Sequence, residues 1–372
     1  MDKCLYITFQ PLEEGDGASM KALAQKDAFE HLGFDVNIVY GKKKDGSLDY
    51  YAGDELLVSN IRWRHIIFSN KLYNSILDYI KNGRYGILYI RYGINASKPF
   101  ADFLGRCNDI RCKIFLEIPT YPYDRENKTG FSPSSLKKRI YSQIEKKYRC
   151  QLEKSVYRVV TFSADKNIYG IPTIQISNAV SKIPTPYICP PIAEEFNMVT
   201  VASIAFWHGI DRLIEGLNKY RDCEIKVHLF VVGGGDDNEI RFLRGLVSKY
   251  GLYDFVTFTG PLTGKDLDNV FSKCHVAIGC LGCHRKNIKE VKSLKNVEYA
   301  MRGIPFVYSE TNYDFDGKSY VYKAPNDDSA INIQNIIDFV KEMKCSPEEI
   351  RESVKNFTWE IQLRKIVEEC GK

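Results

Sequence analysis

Glu290-Val-Lys-Ser-Leu-Lys-Asn-Val-Glu298-Tyr-Ala-Met-Arg-Gly303-Ile-Pro305 is the stretch from which the fold can be read. Leu294, Val297, Ala300 and Met301 recur at helical spacing and form one apolar face. Ser293 suits an N-cap, Gly303 suits the position after the last turn, and Pro305 forbids continuation. A short helix therefore begins near Leu294, with its positive end just after Glu290. Free backbone N–H groups at that end favour an anion such as a phosphate. Lys295 in the first turn is unfavourable for the helix dipole, a cost that makes sense where an anion docks. Ile304–Ser309 then reads as a strand, so this helix is one link of a strand–helix alternation.

Outward from it, the same alternation fills the chain. Towards the N-terminus of this stretch, 198–205, 227–232, 255–258 and 275–279 read as strands, with helical segments at 212–220, 240–250 and 265–271. Four prolines within Pro184–Pro191 interrupt the pattern, because they cannot sit in a helix or a central strand. Before them, strands are expected at Leu5–Phe9, Phe34–Val39, Tyr85–Tyr92, Lys113–Glu117 and Tyr157–Phe162, and a helix at Ala18–Leu32. Such alternation implies an α/β class with mostly parallel, doubly wound, Rossmann-like sheets covered by helices. The expected division is a first domain over 1–183, a linker over 184–197, a second domain over 198–356 and a C-terminal helix over 357–372. Ligands then meet the carboxyl ends of the strands, in a central cleft that the two domains face.

Composition removes several classes. With 372 residues, 44% hydrophobic and 27% charged, the chain is an ordinary globular one rather than fibrous or disordered. No apolar run approaches the ~20 residues that span a bilayer. The chain opens directly into a strand-like stretch, so no signal peptide is expected. Eleven scattered cysteines fit reduced thiols in a cytoplasm better than a disulfide framework. The net charge of +5 is too modest for a nucleic-acid binder. A nicotinamide fingerprint fails, since its third glycine position holds Met20 counting from Gly15 and Asn238 counting from Gly233. Cys280-Leu-Gly-Cys283-His284 lacks the second ligand pair of a zinc site. Asp266-Leu-Asp268 and Asp314-Phe-Asp316 match a metal-binding triplet, but neither follows a suitable strand, and no metal or other cofactor is expected.

Glu290 and Glu298 are the carboxylates of interest. On one continuous helix they would lie about 12 Å apart, too far for two acids sharing one glycosidic bond, which sit about 5–9.5 Å apart in hydrolases. The separation suits two acids gripping hydroxyls at opposite ends of a nucleotide sugar.

The Glu-x7-Glu spacing, followed by Tyr-Ala-Met-Arg-Gly-Ile-Pro, resembles the signature of retaining glycosyltransferases of family 4, the group 1 glycosyl transferases of GT-B fold. Other segments fall in that family's order. Val201–Leu217 resembles the first strand–loop–helix of the donor domain, Val231-Val-Gly-Gly-Gly235 the loop after its second strand, and Leu252–Gly260 its third strand. Ile176–Val180 resembles the segment before the linker, Gly15-Asp-Gly-Ala-Ser19 a glycine-rich loop, and Phe357–Leu363 the last helix, which crosses back to the first domain. The resemblance implies a donor-binding set of Gly15, Gly17, Ser203, His208, Gly234, Ser293, Leu294 and Glu298. It assigns Glu298 to the ribose hydroxyls and Glu290 to the donor sugar. Gly15 and Gly17 would let the chain approach the diphosphate closely.

The sequence also departs from that family. Ser203 and His208 stand where many relatives have an Arg and a Lys on the diphosphate, and a neutral histidine offers no fixed charge. Lys295 is the expected replacement, and with Glu290 it completes the catalytic pair. Arg285, Lys286 and Lys289 are reserves, and Trp207 is a further residue for the donor wall. No histidine follows the Lys113–Glu117 strand, so no general base is assigned. Arg91, Glu117, Tyr123 and Asp124 are the expected acceptor-binding residues.

The implied activity is transfer of a sugar, from a UDP-sugar in preference, to a hydroxyl of a glycan or lipid-linked acceptor, with retention and in bacterial surface polysaccharide synthesis. Two alternatives are a GT-B nucleotide-sugar epimerase and a non-catalytic sugar-nucleotide-binding assembly protein. Ser134–Ser155 carries seven Lys/Arg against two Glu. Leu136, Ile140, Ile144, Tyr148 and Leu152 recur every four residues within it, the pattern of a basic amphipathic helix. The expected location is cytoplasmic, with peripheral contact to an anionic membrane face through 134–155.

Overall fold

The structure is a computed structural model that describes residues 2–13, 16–62, 69–93, 96–123, 133–181, 184–192, 194–288 and 290–371, and the side chains among them except 133–139. Gly15, Asp124 and Lys289 lie outside the described residues. The chain forms two compact units, Met1–Ser177 with Trp359–Lys372, and Asn178–Thr358. The proline-rich stretch from Pro184 thus belongs wholly to the second unit.

The first unit runs β1 (Lys3–Pro11), α1 (Gly17–His31), β2 (Asp35–Lys44), β3 (Ser47–Ala52), β4 (Glu55–Arg62), α2 (Asn70–Gly83), β5 (Ile87–Arg91), α3 (Lys98–Asp109), β6 (Lys113–Ile118), α4 (Pro133–Arg149), β7 (Arg158–Thr161), β8 (Asn167–Ile168) and β9 (Ile171–Gln175). Its sheet has the order β4-β3-β2-β1-β5-β6-β7-β9-β8. The strands from β2 through β9 in that list pair in parallel, and β3, β4 and β8 are antiparallel additions. Leu5, Ile7 and Phe9 face one core, against Leu72, Ile76 and Ile80 of α2 and Phe100 and Leu104 of α3. Alternation sends Tyr6 and Thr8 to the opposite face, where Tyr6 donates to Gln25 of α1 at 2.8 Å.

The second unit runs β10 (Glu195–Val201), α5 (Ile210–Tyr220), β11 (Lys226–Val232), α6 (Asp237–Tyr250), β12 (Val256–Gly260), α7 (Gly264–Phe271), β13 (Val276–Ile278), α8 (Leu294–Arg302), β14 (Phe306–Tyr308), β15 (Val321–Lys323), α9 (Ile333–Glu342) and α10 (Pro347–Glu352). All its strand pairs are parallel, in the order β12-β11-β10-β13-β14-β15. Two separate cores form because neighbouring strand residues face opposite ways. Met198, Val231 and Val307 pack with Leu213, Leu217 and Ile336. Val199, Val232 and Phe306 pack with Val297, Tyr299 and Ala300 of α8. Burial on both faces is why these strands read as nearly continuous apolar runs. The last helix, α11 (Trp359–Cys370), packs against α1 in the first unit through the fully buried Trp359. Among the described residues, no helix is long and apolar enough to cross a membrane.

Candidate functional site

In the second sheet the strand order reverses between β10 and β13, so the loops leaving those strands diverge and open a crevice. The first of these loops contains Ala202–His208 and the second Gly279–Lys286. They are tied together where Leu281 N–H donates to the His208 carbonyl at 3.0 Å. The His208 Nδ1 accepts the Ala205 N–H at 3.1 Å. Burial, reinforced by the charges of Lys295 and Lys286, pushes the His208 imidazole down to about 2. It is therefore neutral, and with Nδ1 accepting, its proton sits on Nε2. Ser203 is exposed in the same loop.

Helix α8 starts at this crevice. Ser293 occupies its N-cap position with extended backbone, but its side chain makes no capping hydrogen bond among the described residues, so the expected serine cap is not made. The first-turn amides thus lack a partner in the Ser293 side chain. Gly303 closes the other end, its N–H donating to the Tyr299 and Ala300 carbonyls. Leu294 is half-buried in the first turn. Lys295 beside it has an ammonium that is buried and without a hydrogen-bond partner among the described residues. Burial lowers the Lys295 pKa, and the Cys280, Glu310, Cys283 and Glu298 groups oppose that shift.

Two further orphaned groups accompany it. Asn296 is fully buried, and neither its amide oxygen nor its nitrogen has a partner among the described residues. Glu310, just past the carboxyl end of β14, is fully buried with both carboxylate oxygens unpartnered among the described residues. Burial, with the neighbouring Cys280, pushes its carboxyl up to about 8. Cys283 donates its thiol hydrogen to the Cys280 sulfur at 3.1 Å. One ligand atom from each of Cys280, Cys283 and Glu310 falls within 4.8 Å of the others. That spacing would suit a cation, but the Lys295 ammonium already supplies positive charge to the same group. Sequence reasoning missed Glu310 and Asn296. The signal for Glu310 was its place just after a strand, where α/β sites form.

Glu290 lies outside α8, bridged in parallel to Thr311, so the straight-helix spacing to Glu298 does not apply. Its Oε1 accepts from the Tyr313 hydroxyl at 3.1 Å. Glu298 is on α8, a third exposed, and accepts from Arg302 at 3.3 Å. Of the reserve cations, Arg285 is held by Asp211 at 2.7 and 2.9 Å and by Asp328 at 2.7 Å. Lys286 lies 4.4 Å from the centre of the Trp207 ring.

The glycines of Gly233-Gly234-Gly235 have unequal duties. A Cβ on Gly233 would lie 1.9 Å from the Ala202 carbonyl oxygen, and one on Gly235 2.3 Å from that of Ile204. A Cβ on Gly234 would make an ordinary 3.5 Å contact with Pro261. Its carbonyl instead accepts the Ile204 N–H at 2.6 Å, which pins the β11 loop to the β10 loop.

The first-unit residues are placed differently from the sequence expectation. Glu117 is fully buried and does not line an open acceptor surface. It accepts from Gln25 at 2.8 Å and Tyr89 at 2.6 Å and lies 3.3 Å from the buried Lys21 ammonium and 3.8 Å from Arg91. Burial would raise its pKa, but the Lys21 and Arg91 charges and those two hydrogen bonds outweigh it and hold it low. Arg91 also donates to the Ala18 carbonyl at 2.6 Å. Tyr123 is buried, donating to Glu145 at 2.6 Å. Both side chains are engaged in the unit's own interior. Gly17 begins α1, behind an Asp16 cap that accepts from Ser19 N–H at 2.8 Å. A Cβ there meets open space, so the fold itself does not demand glycine.

Glu145 also anchors α4, accepting from Tyr92 at 2.8 Å while Arg149 lies 3.5 Å away. Tyr148 and Leu152 from the apolar stripe pack on the first core, whereas Ile140 is 52% exposed.

Residues 191–315 match the family model described as Glycosyl transferases group 1. No curated protein sequence matches the chain. Among solved structures, the chain is similar to a sucrose-phosphate synthase from Thermosynechococcus elongatus, at 15% identity and TM-score 0.73, covering 100% of this chain and 99% of that one. It is also similar to a glycosyltransferase from Rickettsia africae, at 16% identity and TM-score 0.66, with coverage of 99% and 97%. A third is Anabaena HepE in complex with UDP-glucose, at 14% identity and TM-score 0.64, covering 99% of each chain. The architecture is the GT-B glycosyltransferase fold.

Proposed function

We propose that this chain, whose second unit carries the group 1 glycosyl transferase match, moves a sugar from a nucleoside-diphosphate sugar, a UDP-sugar in preference, to a hydroxyl of a glycan or lipid-linked acceptor. The observation that carries this reading is the buried Lys295 ammonium, unpartnered among the described residues, at the start of α8, whose Ser293 makes no cap, beside the strand-order reversal. A buried charge without a partner is costly, and a diphosphate at the helix start would relieve that cost. As the glycosidic bond breaks, negative charge grows on the leaving diphosphate. Lys295, the first α8 amides and the His208 Nε2–H are donors suited to it, and such electrostatic stabilisation is usually the largest catalytic contribution. Glu310, neutral below about 8, puts no opposing charge beside them. Glu298 would grip the ribose and Glu290 the sugar. With lysine and helix neutralising the diphosphate, no metal is needed.

The crystallised complex of HepE with UDP-glucose favours uridine as the base. Retention, a role in surface polysaccharide synthesis and a cytoplasmic location belong to the same proposal on the family resemblance. Contact with an anionic membrane would use Ile140 and the exposed Lys146 and Lys147 on α4.

A melting-shift screen with UDP, GDP and their sugar conjugates tests the donor site, because a ligand bound only by the native state raises Tm. A shift with one base, followed by transfer or hydrolysis of its sugar conjugate, is expected. Failure of every nucleoside diphosphate to shift Tm would refute the reading.

A further inference from the structure

We infer that Arg302 and Asp268 are positioning residues that aim Glu298 at the ribose of the donor nucleotide. The inference rests on the donor-site reading above and adds to it what holds the acid in place. Arg302 follows Glu298 by four residues on α8, so the two share a helix face. One Arg302 nitrogen, Nη2, donates to Glu298 Oε1 at 3.3 Å, and the other, Nη1, to Asp268 Oδ1 at 2.6 Å. The guanidinium lies 4.2 Å from the centre of the Phe271 ring, and only 6% of the residue is exposed. The Arg302 carbonyl accepts the Tyr187 N–H at 2.8 Å, and the second Asp268 oxygen accepts from Thr185 at 2.8 Å. The relay thus runs from the proline-rich stretch through Asp268 and Arg302 to Glu298.

A glutamate one-third exposed on a helix surface has several rotamers open to it. The planar guanidinium fork, fixed by Asp268 and the Phe271 ring, selects one by taking Oε1. Oε2 makes no hydrogen bond among the described residues. A carboxylate oxygen has two lone pairs and accepts from two vicinal hydroxyls, which is the chemistry of a ribose 2′,3′-diol. Burial would raise the Asp268 pKa, but the Arg302 and Thr185 hydrogen bonds outweigh it and keep the acid ionised. This also accounts for Asp266-Leu-Asp268: its second acid is an arginine partner.

The test compares binding of UDP and 2′-deoxy-UDP by calorimetry, with GDP and 2′-deoxy-GDP in parallel, to the full-length chain and to Arg302→Met, Arg302→Lys and Asp268→Asn. Wild type is expected to favour the ribonucleotide by about tenfold, the effect of one hydrogen bond to a charged group. Arg302→Met should reduce that preference to about twofold, weakening the deoxynucleotide, which keeps its 3′-hydroxyl, less than the ribonucleotide, and Asp268→Asn should fall between. Arg302→Lys should restore part of it, and donor KM should rise more than kcat falls. Loss of general packing would weaken both nucleotides equally. If Arg302→Met and Asp268→Asn fold and keep the wild-type preference, the positioning role is refuted. Should Arg302→Met not fold, Asp268→Asn alone decides. Wild type that binds a ribonucleotide and its deoxy form equally would overturn the ribose assignment of Glu298 itself, a different result from the first.

Discussion

The Nδ1 of His208 accepts the backbone N–H of Ala205 at 3.1 Å, which leaves Nε2 as the protonated nitrogen of a neutral ring. Burial and the Lys295 charge push this imidazole from 6.5 to about 2. The folded state therefore refuses a proton that the unfolded chain takes up below 6.5. The stability tied to His208 is intact above that pH and is lost as pH falls towards about 2. Nitrogen NMR should show the neutral Nε2–H tautomer from pH 8 down to about 5. A titration midpoint near 6.5 would contradict the geometry. His208→Gln should flatten the acid side of the stability–pH curve.

Glu310 runs in the opposite sense. Its carboxyl is raised from 4.5 to about 8, so between those values the folded state holds a proton that the unfolded chain has released. Its contribution is full below 4.5 and declines as pH rises through about 8. Glu310→Gln replaces the neutral acid with a neutral amide of similar shape. Urea titrations should show the variant gaining on wild type from pH 5 to 8, on the order of 1 kcal/mol per pH unit. Parallel curves for the two proteins would mean that Glu310 is ionised and paired.

Lys295 and Lys286 provide an internal comparison at the donor site. The Lys295 ammonium is buried without a hydrogen-bond partner among the described residues, whereas Lys286 rests over the Trp207 ring. Lys295→Ala should lower donor kcat/KM by about 10²–10³-fold, the usual loss for one donor to a developing anion. Lys286→Ala should cost about threefold or less, as for a cation–π contact at the edge of a site. Equal, small losses from both would remove Lys295 from the diphosphate.

What the sequence disclosed was whatever left a periodic or positional trace. The α8 boundaries follow from Leu294, Val297, Ala300 and Gly303, and the parallel second sheet from its apolar runs. The β2–β3 hairpin was missed, although Asp45-Gly46 is a strong turn signal. Glu117 and Tyr123 were read as acceptor residues because they end or follow a strand. The sequence carries no sign that Lys21, ninety-six positions away, turns inward to meet Glu117. The Ser293 cap failed because propensity names a position, not the rotamer adopted there. Among the three glycines, only Gly233 and Gly235 face an abutting backbone, a distinction that requires coordinates.

Glu117 supplies the last prediction, which separates an interior role from acceptor binding. Its carboxylate sits between two cations, Lys21 at 3.3 Å and Arg91 at 3.8 Å, with no exposed surface. Glu117→Gln keeps the shape but leaves both charges uncompensated. Removing one partner from a buried ion pair costs about 3–5 kcal/mol. Burial already lowers Lys21 from 10.5 to about 8 despite Glu117, and without the anion it must fall further. Above that lowered value the variant sheds the Lys21 proton and part of the penalty. Denaturant titrations should therefore show a large deficit at pH 7 that narrows by pH 9. A variant as stable as wild type at pH 7, but defective in acceptor KM, would return Glu117 to the acceptor site.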